Sequence, residues 1–131
     1  MSAARRSVPA MRCIVLDGPR GERWRVEVPT SRRERLRGLR GRPPPAGRRG
    51  MLFHRCRSVH TFGMPVPITV AGLDRRLRVV VVRTMAPGRV LFPRPGVRHI
   101  LECPADLDVR NGDRFEPARP ERRRRGSTGG A

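Results

Sequence analysis

Apolar residues in this chain come in short, dense runs that repeat every second position, the period of β-strands rather than helices. Arg12 to Leu16 reads as a first strand, and Asp17-Gly18-Pro19-Arg20-Gly21 as the turn that ends it. From Glu22 to Val28 the pattern alternates, with Trp24, Val26 and Val28 on one face and Arg23, Arg25 and Glu27 on the other. The two segments predict a hairpin that stops at Pro29. Further strands are predicted over Met51–His54, Val59–Phe62, Val66–Leu73, Leu77–Thr84, Val90–Phe92 and Val97–Cys103, with Pro or Gly in most gaps. Val79 to Val82 is apolar at every position, which predicts a central strand covered on both faces. A tight turn at Asn111-Gly112-Asp113 leads into a last strand, Arg114–Glu116.

One segment breaks the period. Ser31-Arg32-Arg33-Glu34 has the form of a capping box and predicts a short helix from about Arg32 to Leu39, closed by Gly38 or Gly41. Pro43-Pro44-Pro45 stiffens the loop that follows. The expected fold is mainly β: a compact jelly-roll-like β-sandwich or barrel with one short helix after an early strand. Residues 12–116 should form a single domain, with residues 1–11 flexible and the Arg-rich stretch 117–131 disordered. Met11 opens directly onto the first strand, which makes it a candidate translation start beside Met1, with residues 1–10 then an overhang. An intact mass lacking residues 1–10 in the native protein would bear this out, and a full-length mass would refute it.

Composition changes the picture in one respect. All 30 basic residues are arginine, against 11 acids, for a net charge of +19. Tyr, Gln and Lys are absent and Asn111 is the sole Asn, a skew that a GC-rich genome produces unaided. Such a skew exchanges Lys for Arg; it does not create the excess of charge. Residues 1–50 carry +10, residues 51–100 carry +8 and residues 101–131 carry only +1, so the basic character belongs to the foldable part. It calls for an anionic partner or for repulsion that maintains solubility. The absence of Lys excludes a Schiff-base amine and a phosphate loop of the Gly-Lys-Ser/Thr kind. The longest apolar run is too short for a membrane-spanning helix. Three cysteines and no visible export signal point to a reducing cytoplasm.

Candidate chemistry is sparse. Cys56 and His60 are four apart, as are His99 and Cys103, a spacing that invites a zinc reading. Residues four apart on a strand lie about 13 Å from each other, which is too far to share one ion. No metal or other cofactor is therefore expected. His99 alternates with Val97, Leu101 and Cys103 and reads as a core histidine. Cys56 with His60 could form a nucleophile–base pair, although no orienting group is near in sequence. Asp74, Asp106 and Asp108 read as turn residues. In His60-Thr61-Phe62-Gly63-Met64, the glycine either admits a ligand or marks a bulge. If there is a pocket, Arg42, His60, Thr61, Met64 and Glu102 are its candidate lining. Arg42 could equally fork onto Glu102 or Asp113. No catalytic residue is assigned.

The order of blocks resembles a known family. Arg35, then Gly38-Leu39-Arg40-Gly41-Arg42, Gly50-Met51-Leu52-Phe53, His60-Thr61-Phe62-Gly63-Met64 with Pro67-Ile68, Leu101-Glu102 and Gly112-Asp113 together resemble the domain of unknown function 192 family, in a form common among actinobacterial members. The resemblance spans roughly Val26 to Phe115. It implies a small jelly-roll-like sandwich with a helix after an early strand, and no established activity. It also implies a link to pilus-assembly or secretion components, near which actinobacterial members are often encoded. Two positions depart from the family pattern: Thr69 stands where an Asp is usual, and Gly72 where an aromatic or aliphatic residue is usual. Arg75-Arg76 likewise replaces a glycine-bearing turn.

The reading that follows is a non-enzymatic accessory that binds an unknown protein or small ligand. One alternative is a non-specific nucleic-acid or polyanion binder, with weak, salt-sensitive contacts made in part by Arg122, Arg123, Arg124 and Arg125. That alternative lacks an aromatic stacking platform, since the chain has four Phe, one Trp and no Tyr. The other is an uncharacterised enzyme centred on His60.

Overall fold

A computed structural model describes residues 12–29, 48–61 and 64–118. These residues form nine strands: β1 (Arg12–Asp17), β2 (Arg23–Val28), β3 (Arg49–Phe53), β4 (Val59–His60), β5 (Ile68–Leu73), β6 (Val79–Met85), β7 (Val90–Leu91), β8 (His99–Pro104) and β9 (Glu116–Pro117). Seven of them make one curled sheet in the order β6-β5-β8-β3-β2-β1-β9, and β4 pairs with β7 in a separate ribbon. The mainly-β expectation holds. The helix expected over Arg32–Leu39, the Arg42 loop and the 122–125 arginine run lie outside the described residues. Among those described, no helix is long and apolar enough to cross a membrane.

The sheet follows from the sequence pattern strand by strand. β1 and β2 form the expected antiparallel hairpin, from Arg12 opposite Val28 to Asp17 opposite Arg23. β2 and β3 run parallel, from Arg25 opposite Arg49 to Glu27 opposite Met51. β3 then pairs antiparallel with β8, and β8 with β5. At Gly50 the two backbones approach so closely that a Cβ would lie 2.6 Å from the carbonyl oxygen of Glu102. Only glycine fits there.

β5 and β8 are buried almost throughout, because each face of the sheet carries its own apolar cluster. One face holds Met51, Phe53, Ile68, Val70, Val81 and Ile100, covered by Met64 and by Leu91 of the ribbon. The opposite face holds Leu16, Trp24, Val26, Leu52, Leu101 and Phe115. There Trp24 meets Phe115 edge-on, with ring centroids 5.3 Å apart. The C-terminal loop that carries Phe115 is fastened by Arg20, which forks onto Asp113 at 2.9 and 3.2 Å and donates to the Asp108 carbonyl at 2.6 Å.

The Val79–Val82 run is not central: β6 ends the sheet among the described strands. The register between β5 and β6 shifts at Gly72/Leu73, where Gly72 faces Val81 and Leu73 faces Val79. Val80 is the extra residue and is 41% exposed. The bulge puts Val79 and Val81 on opposite faces, each buried in its own cluster, so the run is covered on both sides although its strand is not central.

Gly72 departs from the family pattern because its neighbours occupy the space. A Cβ at this position would lie 2.7 Å from a Val81 methyl and 2.9 Å from a Val97 methyl. Gly72→Ala is therefore expected to destabilise the fold by about 1–3 kcal/mol in urea unfolding, and a second change, Val97→Ala, should recover part of that loss. Equal stability of Gly72→Ala and the parent protein would refute this account of the packing.

Candidate functional site

The hairpin between β5 and β6 closes through a tight turn. The Leu77 amide donates to the Asp74 carbonyl at 3.0 Å, and the Asp74 amide to the Arg78 carbonyl at 2.9 Å. Leu77 has φ of 63°, a left-handed conformation normally left to glycine. The Asp74 side chain stiffens the turn: its Oδ1 accepts from the Arg76 amide at 2.8 Å and the Arg78 amide at 2.9 Å. Partial burial opposes ionisation of Asp74, but the two amides and the adjacent arginines outweigh it and hold its pKa below the ordinary carboxylate value.

The lead-in to β8 meets this turn, because the Arg98 amide donates to the Leu73 carbonyl at 2.7 Å. Gly96, with φ of +86° and nothing within 4 Å of a built Cβ, leaves space beside it. The result is an open cleft of about 460 Å³ lined by Asp74, Arg75, Arg76, Arg78, Gly96 and Arg98. All four arginines are exposed. Among the described residues, none of the four forms a salt bridge. Sequence reasoning noted Arg75-Arg76 only as a departure from a glycine-bearing turn. The approach of Arg98 depends on the β5–β8 register, for which the chain has no local signal.

The residues nominated from sequence are distributed as follows. Thr61 is fully buried and engages backbone: its hydroxyl donates to the Ala86 carbonyl at 2.7 Å and accepts from the Arg89 amide at 2.8 Å. It staples β4 to the turn before β7. His60 lies in β4, exposed, in register with Val90. Met64 belongs to the ribbon-covered cluster. Glu102 lies on the same face of the sheet, in register with Met51 on one side and Val70 on the other. The fork onto Asp113 that was considered for Arg42 is made by Arg20. Asp108, read as a turn residue, is held by a second fork from Arg110 at 2.9 and 2.8 Å.

Glu102 is 4% exposed, and burial pushes its pKa up to about 7. Burial thus favours the protonated form of this carboxyl. The nearby Cys103 thiol, buried on the opposite face, is pushed up to about 12 by burial and by the acids Asp106 and Glu102. It is a packing residue and not a nucleophile. Thr69, where the family usually has Asp, is buried opposite Cys103. The Cys56 thiol donates to the Ser58 carbonyl at 3.1 Å. His99 is the core histidine expected: 8% exposed, it accepts from the Arg55 amide at 3.0 Å and stacks on His54 with centroids 4.6 Å apart. Burial, then the charges of His54, Arg98 and Arg55, lower its pKa. The His54 stack was not foreseen, since His54 and His99 are distant in sequence. No group of three or more His, Cys, Asp or Glu able to hold a metal occurs among the described residues.

Fold and cleft together define a small, mainly-β, arginine-rich domain with a basic end to its principal sheet. Residues 14–116 match the model of the DUF192 family, described as Uncharacterized ACR, and the chain belongs to that family. It is similar to the UPF0127 protein PH1112 of Pyrococcus horikoshii, with 42% identity over 50 residues, covering 38% of this chain and 44% of that protein. The match therefore spans less than half the length of that relative. A crystal structure of a protein of unknown function from Novosphingobium aromaticivorans superposes with a TM-score of 0.73 at 18% identity, over 88% of this chain and 96% of that one. Another, of a candidate transcription regulator from Sinorhizobium meliloti, gives 0.72 at 22% identity, over 82% and 95%. At these identities the likeness is one of fold.

The two buried titrating groups give the fold opposite pH responses. Glu102 has a folded pKa above its unfolded value, so its contribution is favourable in acid and is lost as pH rises through about 7. The shift from 4.5 to about 7 corresponds to roughly 3 kcal/mol. His99 has a lowered folded pKa, so its contribution is favourable above 6.5 and is lost as pH falls through the lowered value. Glu102→Gln should therefore gain stability over the parent at about pH 8 relative to about pH 5, read as urea midpoints. A stability difference that is the same at both pH values would contradict the assignment.

Proposed function

We propose that this protein is a non-enzymatic binding accessory of the cytoplasm and that its ligand or partner is anionic. The observation that supports this reading is the basic cleft, which four exposed arginines line together with one carboxylate that is already bonded to backbone amides. Guanidinium groups are weakly hydrated, keep their charge and offer paired donors to oxyanions. A cluster of them held by a rigid hairpin gains little for the fold and much for an incoming anion. The cytoplasmic setting agrees with a chain of three cysteines, none of them joined in a disulfide. An anionic protein of a pilus or secretion assembly would suit such a surface.

Non-specific nucleic-acid binding is the second reading and draws on the same charge. The aromatic side chains of the described fold favour it little. Trp24, Phe53 and Phe115 are buried, and among the described residues only Phe92, 73% exposed, is available for stacking.

The test is fluorescence anisotropy of labelled heparin and labelled single-stranded DNA, titrated with the full chain across a salt series. Binding at low salt that falls linearly in log–log form is expected for both polymers, with a similar slope for each. No binding to either polymer at low salt would overturn the anionic-partner reading. A marked preference for DNA that survives moderate salt would favour the second reading. An enzyme centred on His60 would show an activity that His60→Ala abolishes.

A further inference from the structure

We infer that the cleft at the β5–β6 turn is a site for a linear oligophosphate group, as in inorganic tripolyphosphate or the phosphate chain of a nucleoside triphosphate. The inference rests on the anion-binding reading and gives that site its ligand class.

The charge balance sets the ligand's charge. Arg75, Arg76, Arg78 and Arg98 stand against Asp74 alone, an excess of three positive charges within one cleft. A single carboxylate would leave most of that excess unmatched. Arg75, Arg76 and Arg78 come from the turn, and Arg98 from the lead-in to β8. Four guanidinium groups offer more paired donors than the oxygens of one phosphate can use, which suits several linked phosphates better than one. At about 460 Å³, the cleft falls in the roughly 300–1,000 Å³ range of small-molecule sites.

The chemistry of the walls argues for phosphates and against a base or an apolar ligand. The lining contains no aromatic and no aliphatic side chain other than the arginine stems. Nothing is present to stack on a nucleobase or to fill against a hydrocarbon. A nucleotide would therefore be held by its phosphates, with its base unread. The preorganisation comes from Asp74: by fixing the amides of Arg76 and Arg78, it holds the backbone from which two of the arginines project. The Arg98 amide bond to Leu73 does the same for the opposite wall. Ligand binding then orders side chains only, which lowers its entropic cost.

Isothermal titration of the full chain with tripolyphosphate, ATP, GTP and orthophosphate at low salt tests this. Tripolyphosphate, ATP and GTP should bind within a few-fold of one another, with orthophosphate at least about tenfold weaker. The double substitution Arg75→Gln with Arg98→Gln should weaken tripolyphosphate at least about tenfold, while Arg12→Gln with Arg57→Gln, which removes equal charge elsewhere, should change it less than about twofold. All four side chains are exposed, and an unchanged unfolding midpoint confirms that the variants are folded. Equal losses in the two double variants would overturn the site, because the effect would then be overall charge. A strong preference between ATP and GTP would overturn the phosphate-only recognition. Heparin binding without tripolyphosphate binding would defeat this inference and leave the broader reading standing; failure with both would defeat both.

Discussion

The antiparallel pairing of β5 with β8 is the constraint on which the rest of the structure depends. Six residue pairs, from Ile68 opposite Pro104 to Leu73 opposite His99, separate the two apolar clusters and belong to both. Each strand must then be nearly continuous in apolar residues, which is why Ile68–Leu73 and His99–Cys103 are buried residue after residue. The pairing also decides what happens at its end. Where Leu73 accepts from the Arg98 amide, the register carries over into the turn, and an arginine from the far side of β6 and β7 joins those of the hairpin. A one-residue slip would turn every side chain of these strands to the opposite face. It would also take Arg98 out of register with the β5–β6 turn.

The same constraint explains the costly residue of the interior. Because β8 is covered on both faces, the position between Leu101 and Cys103 has no solvent side, and Glu102 is buried whatever its charge. Among the described residues no cation compensates this carboxyl, and burial favours its protonated form, which raises its pKa. His99 makes the complementary adjustment by remaining neutral between the Arg55 amide and the His54 ring. Both groups belong to the economy of the fold. The exposed arginines at the strand ends are under no such pressure and keep their charge at the surface.

Most of this architecture was legible in the chain. The alternation of Trp24, Val26 and Val28 gave the first hairpin, and the runs between Met51 and Cys103 gave strands within a few residues of their bounds. The five ordered blocks gave the family, which the match over residues 14–116 shows. What misled was Val79–Val82, whose two covered faces suggested a central strand, whereas a bulge lets an end strand place Val79 and Val81 in opposite clusters. Of the nominated pocket residues, Met64 and Glu102 share a sheet face, whereas Thr61 is engaged by the backbone of Ala86 and Arg89. The cleft itself was not visible. Its arginines are drawn from two segments that only long-range pairing brings together, and in a chain with thirty arginines no four of them stand out.

Charge on this scale links stability and binding through one cause. Residues 1–100 carry most of the +19, and like charges held on a small fold repel one another. Added salt screens that repulsion and so favours the compact state, while the same screening weakens attraction to an anionic ligand. Stability and affinity should therefore move in opposite directions along a salt series. An anion seated in the cleft acts differently, because it offsets the local excess around Arg75, Arg76, Arg78 and Arg98 without screening the rest of the molecule. An excess of arginine that is merely tolerated would respond to ionic strength alone. One that serves a site also responds to the identity of the anion at constant ionic strength, and this separates a solubility charge from a functional one.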